Sequence, residues 1–240
     1  MGSSSGPRSR RIIPPGRRGS IVSAIGRPMQ ALLWDMDGLL VDSEPLWYQV
    51  ERDFAKRRGA DFTEEHARHN IGKGIRHTVH LMRELFGIEV DVDEGVDELI
   101  DDFLARTSEL ELKPGARELI ERTRGNYDLA LASSSHRRLV EKTIDQFGLG
   151  PAFNAIVSGE DVTRSKPAPD VFLRAAELLD VPIDECVVLE DSLAGVMAGR
   201  AAGAIVVAIP EPPLDGRPFA EHADVVVDDL FEAARWLDLA

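Results

Sequence analysis

Residues 30–38 read QALLWDMDG. The short apolar run from Gln30 to Trp34 is typical of a buried strand. It leads directly into Asp35 and Asp37, and Gly38 after them marks a backbone turn. We therefore predict a strand of a central sheet that ends in two closely spaced carboxylates.

Strands and helices alternate downstream of the Pro114–Gly115 pair. We predict helices at 116–123, 138–147, 170–179, 193–202 and 230–237, and strands at 129–132, 155–157, 187–189, 205–209 and 224–227. Repeated strand–helix units with continuously apolar strands favour a parallel sheet that is covered on both faces. The predicted fold class is therefore α/β, with a Rossmann-like, doubly wound parallel sheet.

Residues 44–111 show a different pattern. Apolar residues recur there at helical spacing, for example Leu46, Val50 and Phe54, and no convincing strand is present. We predict a small all-helical domain at 44–111. It is inserted just after the first strand of an α/β core that comprises residues 29–43 and 112–240.

The first 28 residues are rich in Ser, Gly, Pro and Arg, with six arginines and no acidic residue. We interpret residues 1–28 as a disordered basic extension ahead of an original start at Met29. A transit peptide is the alternative, because such peptides are also rich in Arg and Ser and poor in acids.

The composition argues against several classes of protein. The 240-residue chain has a net charge of −14, which disfavours binding to nucleic acid through its phosphates. Its longest aliphatic run, Ala204–Ile209, is far shorter than the roughly 20 residues of a membrane-spanning helix. The single cysteine, Cys186, excludes an internal disulfide. We expect a cytoplasmic monomer without nucleic-acid or membrane partners.

Polar residues also follow three later strands. Ser133 follows the second predicted strand of the core, Lys166 the third, and Glu190 and Asp191 the fourth. Ligands bind outside the carboxyl ends of the strands in doubly wound sheets, so we expect these side chains to meet the two aspartates of the first strand. Carboxylates about 4 Å apart repel each other by roughly 4 kcal/mol at an effective dielectric near 20. The cluster therefore needs a cation, and oxygen ligands favour Mg²⁺.

This combination of residues is suited to phosphoryl transfer. A carboxylate can attack phosphorus and form an acyl phosphate. A second carboxyl group can protonate the leaving oxygen and later deprotonate water. Lys166 would supply positive charge, and Ser133 would supply a hydroxyl donor to the phosphoryl group.

Four segments of the sequence resemble the motifs of the haloacid-dehalogenase-like (HAD) hydrolases. The first is DMDGLLVDSEP at 35–45; Ser133 and Lys166 match the second and third motifs, and EDS at 190–192 with Gly195 matches the fourth. The resemblance covers about residues 29–230, and the helical insert implies the subgroup with an α-helical cap. The most similar members are bacterial phosphatases of hexitol phosphates and 2-deoxyglucose 6-phosphate, with β-phosphoglucomutase-like proteins as near relatives.

The resemblance implies a role for each motif residue. Asp35 would be the nucleophile and a Mg²⁺ ligand. Asp37 would be the general acid and base and would bind Mg²⁺ through its backbone carbonyl. Asp191 would complete the protein ligands, with Glu190 supporting the metal site. The substrate-binding residues would be Ser133, Ser134 and Lys166 in the core and Lys73 and Arg76 in the cap. The implied activity is Mg²⁺-dependent hydrolysis of a small phosphorylated metabolite, a sugar or sugar-alcohol phosphate, through an aspartyl-phosphate intermediate.

Two alternatives stay open. β-Phosphoglucomutase-like enzymes carry a histidine where this chain has Trp47, which favours hydrolysis over mutase chemistry. A non-catalytic phosphometabolite sensor is the second alternative. Receiver domains also combine an acidic pocket, a hydroxyl and a lysine, although they lack a cap.

Overall fold

The computed structural model describes residues 21–22, 28–68, 74–211 and 217–237. The strands are β1 (Ile21–Val22), β2 (Pro28–Met29), β3 (Ala31–Trp34), β4 (Asp128–Ala132), β5 (Ala155–Val157), β6 (Cys186–Glu190), β7 (Ile205–Ala208) and β8 (Val225–Val226). The helices are α1 (Glu44–Arg57), α2 (Glu64–Arg68), α3 (Ile75–Phe86), α4 (Val92–Leu104), α5 (Ala116–Thr123), α6 (Arg137–Phe147), α7 (Asp170–Leu179), α8 (Leu193–Ala202), α9 (Arg217–Ala220) and α10 (Leu230–Trp236).

Six strands form the central sheet in the order β5-β4-β3-β6-β7-β8, and every neighbouring pair is parallel. The chain adds β4 and β5 on one side of β3 and then crosses back to add the other three strands on the opposite side. This reversal leaves a crevice at the carboxyl end of β3, which is where such sheets bind ligands. The predicted Rossmann-like, doubly wound α/β fold is confirmed.

Alternating strand residues build two hydrophobic layers. Leu32 and Trp34 of β3 belong to a layer that includes residues of α5, α6 and α10. Ala31 and Leu33 belong to the opposite layer, which includes residues of α7 and α8. All four side chains are fully buried. Because helices cover both faces, the strand is apolar at every position rather than at every second one.

Helices α1 to α4 follow β3 in the chain and surround a third hydrophobic cluster, which includes Val50, Phe54, Met82 and Phe103. The described part of 44–111 contains helices, turns and loops, in line with the helical spacing of its sequence. Leu139 of α6 is buried in the same cluster, so the helical segment packs against a helix of the sheet layer. The division into a core and a cap at 44–111 stays a prediction.

The two connections between the sheet and the helical segment lie side by side. The Asp42 N–H donates to the Glu111 carbonyl at 2.9 Å, and the Lys113 N–H donates to the Leu40 carbonyl at 3.0 Å. The chain therefore leaves and re-enters the α/β part through one pair of hydrogen-bonded segments, close to the carboxyl end of β3.

The observed elements differ from the sequence prediction in a few places. Several strand and helix ends shift by one residue, and α9 was not predicted. Within the N-terminal extension, β1 pairs with β2 where we expected disorder, and residues 1–20 and 23–27 lie outside the described part of the chain. None of the described helices combines the length and apolar character needed to cross a membrane.

Candidate active site

The register of the sheet brings three strand ends together. Trp34 of β3 is level with Leu131 of β4 on one side and with Leu189 of β6 on the other. The residues that follow these positions therefore emerge side by side at one edge. Asp35 is buried there, with its N–H donating to the Leu189 carbonyl at 3.1 Å, and Ser133 is buried at the end of the neighbouring strand.

Lys166 connects these strand ends. Its ammonium group donates to Oδ1 of Asp35, to Oε1 of Glu190 at 2.7 Å and to the Ala132 carbonyl at 3.0 Å. Its side chain is only 7% exposed. A buried ammonium group with three acceptors is held in one place, so Lys166 is fixed beside the carboxylate of Asp35.

Glu190 binds Lys166 with one carboxylate oxygen and the loop that follows β6 with the other. Its Oε2 accepts hydrogen bonds from the Ser192 backbone N–H and from the Ser192 hydroxyl, both at 2.9 Å. Gly195 makes room for this carboxylate, because a Cβ at that position would lie 1.7 Å from Oε1. Both oxygens of Glu190 are thus engaged by the protein, which suits it to orient Lys166 and the loop.

Asp191 approaches the same point from the end of β6. One carboxylate oxygen from each of Asp35, Glu190 and Asp191 lies within 4.8 Å of the others. Gly38 permits this approach, because a Cβ there would lie 2.3 Å from Oδ2 of Asp191. The backbone of Gly38 also has a φ of 82°, which other residues rarely adopt. The DxDG pattern of the first motif therefore has a steric reason in the structure.

The electrostatics of the cluster show a shortage of positive charge. Burial raises the pKa of Asp35 to about 7; the charge of Lys166 opposes this rise, whereas Glu190 and Asp37 add to it. Burial, with the charges of Glu190 and Asp35, raises the pKa of Asp191 well above its usual range. Burial alone would lower the pKa of Lys166, but the attraction of Asp35 and Glu190 raises it. One ammonium group thus faces three carboxylates.

The acidic cluster fits a divalent metal ion. Oδ1 of Asp191 is buried and has no hydrogen-bond partner among the residues that the structure describes. A buried carboxylate oxygen without a partner is costly, and a bound cation would satisfy it. Carboxylate oxygens are the ligands that hard divalent cations prefer. Asp35, Glu190 and Asp191 could each offer one oxygen to such an ion, and Oδ1 of Asp191 is the oxygen that no other described group engages.

Asp37 lies next to the cluster, and its carboxylate makes a different contact. Its Oδ2 accepts a hydrogen bond from the Ser135 hydroxyl at 2.7 Å. The Ser133 hydroxyl accepts from the Ser135 backbone N–H at 3.0 Å, which leaves the Ser133 hydroxyl proton to donate elsewhere. Sequence reasoning had not singled out Ser135, since a third serine in a row carries no spacing signal.

Two further carboxyl groups, those of Glu44 and Glu51, lie on α1 in the helical segment. Burial raises the pKa of Glu44 to about 7, and the charges of Asp37 and Asp42 add to the rise. Glu51 is 8% exposed and accepts a hydrogen bond from the Thr78 hydroxyl at 3.1 Å. Burial raises its pKa to about 7 as well, against the effect of that hydrogen bond. Neither residue was expected from the sequence, where both look like ordinary polar positions of a helix.

The remaining predicted residues lie in different surroundings. Arg76 is 59% exposed at the start of α3 and pairs with Asp93. Ser134 is exposed at the end of β4. Lys73 lies outside the described residues. The Trp47 ring stacks on Phe103, with ring centroids 4.1 Å apart. Of the predicted set, the structure thus brings together Asp35, Lys166, Glu190 and Asp191. Asp37 and Ser133 lie beside them, and the roles of all the predicted residues stay predictions.

These motif residues lie within a segment that matches a known family. The profile of the haloacid dehalogenase-like hydrolases matches residues 29–203, which is most of the chain. The protein is a haloacid dehalogenase-like hydrolase. The resemblance inferred from the four motifs is confirmed, and with it the prediction that the protein is an enzyme.

Several relatives of this hydrolase are phosphatases. Hexitol phosphatase B of Escherichia coli K12 is 32% identical over 213 residues, covering 86% of this chain and 95% of that protein. A bifunctional riboflavin kinase/FMN phosphatase of Arabidopsis thaliana is 30% identical over 89% of this chain, but the match spans only 56% of that longer protein. CbbY from Rhodobacter sphaeroides, solved in complex with phosphate, has a TM-score of 0.78 at 26% identity, covering 88% of this chain and 99% of CbbY. The phosphatase relatives support the predicted enzyme class.

Proposed function

We propose that this hydrolase is a Mg²⁺-dependent phosphatase that cleaves a small sugar or sugar-alcohol phosphate through an aspartyl-phosphate intermediate. The observation that carries the proposal is the meeting of Asp35, Lys166 and Asp191 at one end of the sheet, with Asp37 beside them. A nucleophile, a cation, a metal ligand and a second carboxyl group then surround one place for a phosphoryl group.

The first half of the reaction would form a bond between Asp35 and phosphorus. The Asp35 carboxylate, which Lys166 holds in place, would attack phosphorus through one of its oxygens. The bond between phosphorus and the ester oxygen breaks, and Asp37 donates its proton to the departing alcohol. The Ser133 hydroxyl would bind a phosphoryl oxygen, and the positive charge of Lys166 beside Asp35 would stabilise the negative charge of the phosphoryl group.

The second half would hydrolyse the aspartyl phosphate. Asp37, now ionised, takes a proton from a water molecule, and the resulting oxygen attacks phosphorus. The bond between phosphorus and Asp35 breaks, which releases inorganic phosphate and restores the carboxylate. Mg²⁺ held by Asp35, Asp191 and the Asp37 carbonyl would supply the positive charge that brings a phosphate dianion close to these carboxylates.

The substrate class is proposed from the relatives and from the helical segment. Hexitol phosphatase B aligns over nearly its whole length. Glu44 places a carboxyl group of raised pKa near Asp37, at the start of α1. Such a group can donate and accept hydrogen bonds with the hydroxyls of a polyol. We also propose that residues 44–111 act as a cap over the site and that the enzyme is a cytoplasmic monomer.

Trp47 supports hydrolysis rather than mutase chemistry. A mutase must move protons at a second hydroxyl of the sugar, and the stacked indole of Trp47 offers no group that does this near neutral pH. Incubation with glucose 1-phosphate isomers separates the two reactions. A phosphatase releases inorganic phosphate. A mutase instead converts the 1-phosphate into a 6-phosphate and releases no inorganic phosphate.

The main test is a screen of hexitol, hexose, pentose and glycolate phosphates with and without Mg²⁺. We expect Mg²⁺-dependent phosphate release, highest for a sugar or sugar-alcohol phosphate. Asp35→Asn should abolish release, and Asp145→Asn, at an exposed position on α6, should not. Acid quenching during turnover should trap phosphate bound to the wild-type protein. Binding of phosphate without catalytic release would instead support the sensor alternative.

A further inference from the structure

We propose that Ser135 is a positioning residue that holds the carboxyl group of Asp37 in the orientation needed for proton transfer. This inference rests on the proposed function, because it assigns Ser135 to the general acid and base of that reaction. The contact behind it is the hydrogen bond from the Ser135 hydroxyl to Oδ2 of Asp37 at 2.7 Å. The two residues are 98 positions apart in the sequence and come from different strand ends.

The backbone of Ser135 is fixed on two sides. Its N–H donates to the Ser133 hydroxyl at 3.0 Å, and its carbonyl accepts from the Gly159 N–H at 2.9 Å. The first contact ties it to the end of β4 and the second to the loop after β5. A hydroxyl on a backbone held in this way has a defined position relative to the sheet and therefore relative to Asp35.

The backbone around Asp37 is equally constrained. The N–H groups of Leu40 and Val41 both donate to the Met36 carbonyl, at 2.9 and 3.0 Å, and the Gly38 N–H donates to the Val41 carbonyl at 2.9 Å. The remaining freedom of Asp37 lies in its side-chain torsions. A hydrogen bond to one carboxylate oxygen removes that freedom.

The geometry assigns different tasks to the two oxygens of Asp37. Oδ2 is engaged by Ser135, so Oδ1 is the oxygen that would carry the proton to the leaving group. A general acid contributes only when its proton-bearing oxygen points at the reacting atom. Ser135 uses its single hydroxyl proton on Asp37, which distinguishes it from Ser133, whose hydroxyl proton is left for a phosphoryl oxygen.

The test compares two substrates that differ in their need for an acid. p-Nitrophenyl phosphate has a leaving group that departs without protonation, whereas a hexitol 6-phosphate has an alcohol that requires it. Because Asp37 also serves as the base in the second half of the reaction, which both substrates share, the comparison uses kcat/KM, which reports the steps up to departure of the leaving group. We expect Ser135→Ala to lower kcat/KM for the hexitol phosphate by about tenfold, part of the roughly 10²–10⁴-fold that a positioned acid supplies. The kcat/KM for p-nitrophenyl phosphate should change less than about twofold on the same reasoning. Ser135→Thr, which keeps the hydroxyl, should restore most of the loss, and Ser108→Ala, at an exposed position of the helical segment, is the control.

A double-mutant cycle tests whether Ser135 acts through Asp37. In an Asp37→Asn background, Ser135→Ala should cause no further loss with the hexitol phosphate, because the orientation of a group that no longer transfers protons has no effect. Equal losses with both substrates, or a raised inhibition constant for inorganic phosphate, would make Ser135 a phosphate ligand and overturn the proposal while leaving the phosphatase assignment intact. A wild-type enzyme that releases phosphate from neither substrate would overturn the proposed function, and this inference with it.

Discussion

Replacement of Glu51 by glutamine should change how the stability of the protein depends on pH. Glu51 is 8% exposed, and burial raises its pKa from the ordinary 4.5 to about 7. In the folded protein it therefore keeps its proton up to about pH 7, whereas in the unfolded chain it loses the proton near pH 4.5. Between these values the folded state binds more protons than the unfolded state, so stability falls as pH rises.

The size of the effect follows from the shift in pKa. Each pKa unit corresponds to about 1.4 kcal/mol, so the shift of Glu51 costs about 3 kcal/mol of unfolding free energy at pH 8 relative to pH 4. Glutamine has nearly the same shape, and its amide oxygen can accept the hydrogen bond from Thr78 that Glu51 accepts at 3.1 Å. The Glu51→Gln variant should thus match the wild type in acid and exceed it by up to about 3 kcal/mol at pH 8.

Urea unfolding at pH 5 and at pH 8 measures this difference. Glu84→Gln, which removes an exposed carboxylate from α3, serves as the matched control and should follow the wild-type curve at both values. If Glu51→Gln loses stability between pH 5 and pH 8 as steeply as the wild type, the carboxyl group is ionised in the folded state and the reasoning is wrong.

Three other changes probe the site. Gly195→Ala should lower kcat by about 10²-fold or more, because the added Cβ would displace the Glu190 carboxylate that positions Lys166. Gly150→Ala is the control and should leave kcat unchanged, because a Cβ there would lie 3.6 Å from the nearest atom, Cγ2 of Ile144. Lys166→Met should abolish phosphate release and weaken inhibition by inorganic phosphate, measured by steady-state kinetics. Addition of Mg²⁺ after EDTA treatment should raise the melting temperature, by an amount equivalent to about 2.7 kcal/mol at 100 times the Kd, and this rise should vanish in Asp191→Asn.

The fold could be predicted because its signals are local. Apolar strands alternate with helices over 112–240. Each apolar run is too short for a typical helix, so its length favours a strand. The helix α9, Arg217–Ala220, shows the limit of this approach. A helix of four residues has too few positions to reveal a period.

Part of the site was also predictable, because one rule of parallel sheets places all strand ends at the same edge. Asp35, Ser133 and Glu190, which stand at or directly after strand ends, needed no further information to be placed at one edge. The contact between Ser135 and Asp37 depends instead on side-chain directions in two loops, which the sequence does not encode in any spacing. The raised pKa of Glu51 likewise depends on packing between α1 and α3, and the residues around it decide whether a helical glutamate is solvated or buried.

Glu190 has contacts in the structure that its place beside Asp191 does not predict. The sequence predicts that Glu190 supports the metal site, and in the structure one of its oxygens binds Lys166 and the other binds Ser192. If Lys166 paired with Asp35 alone, the ammonium group would neutralise the proposed nucleophile. Because Glu190 shares that ammonium, Lys166 and Glu190 together are close to neutral, and the raised pKa values of Asp35 and Asp191 show that the remaining acidic groups lack positive charge. We therefore propose that a divalent ion supplies this charge and that Glu190 supports its binding by orienting Lys166.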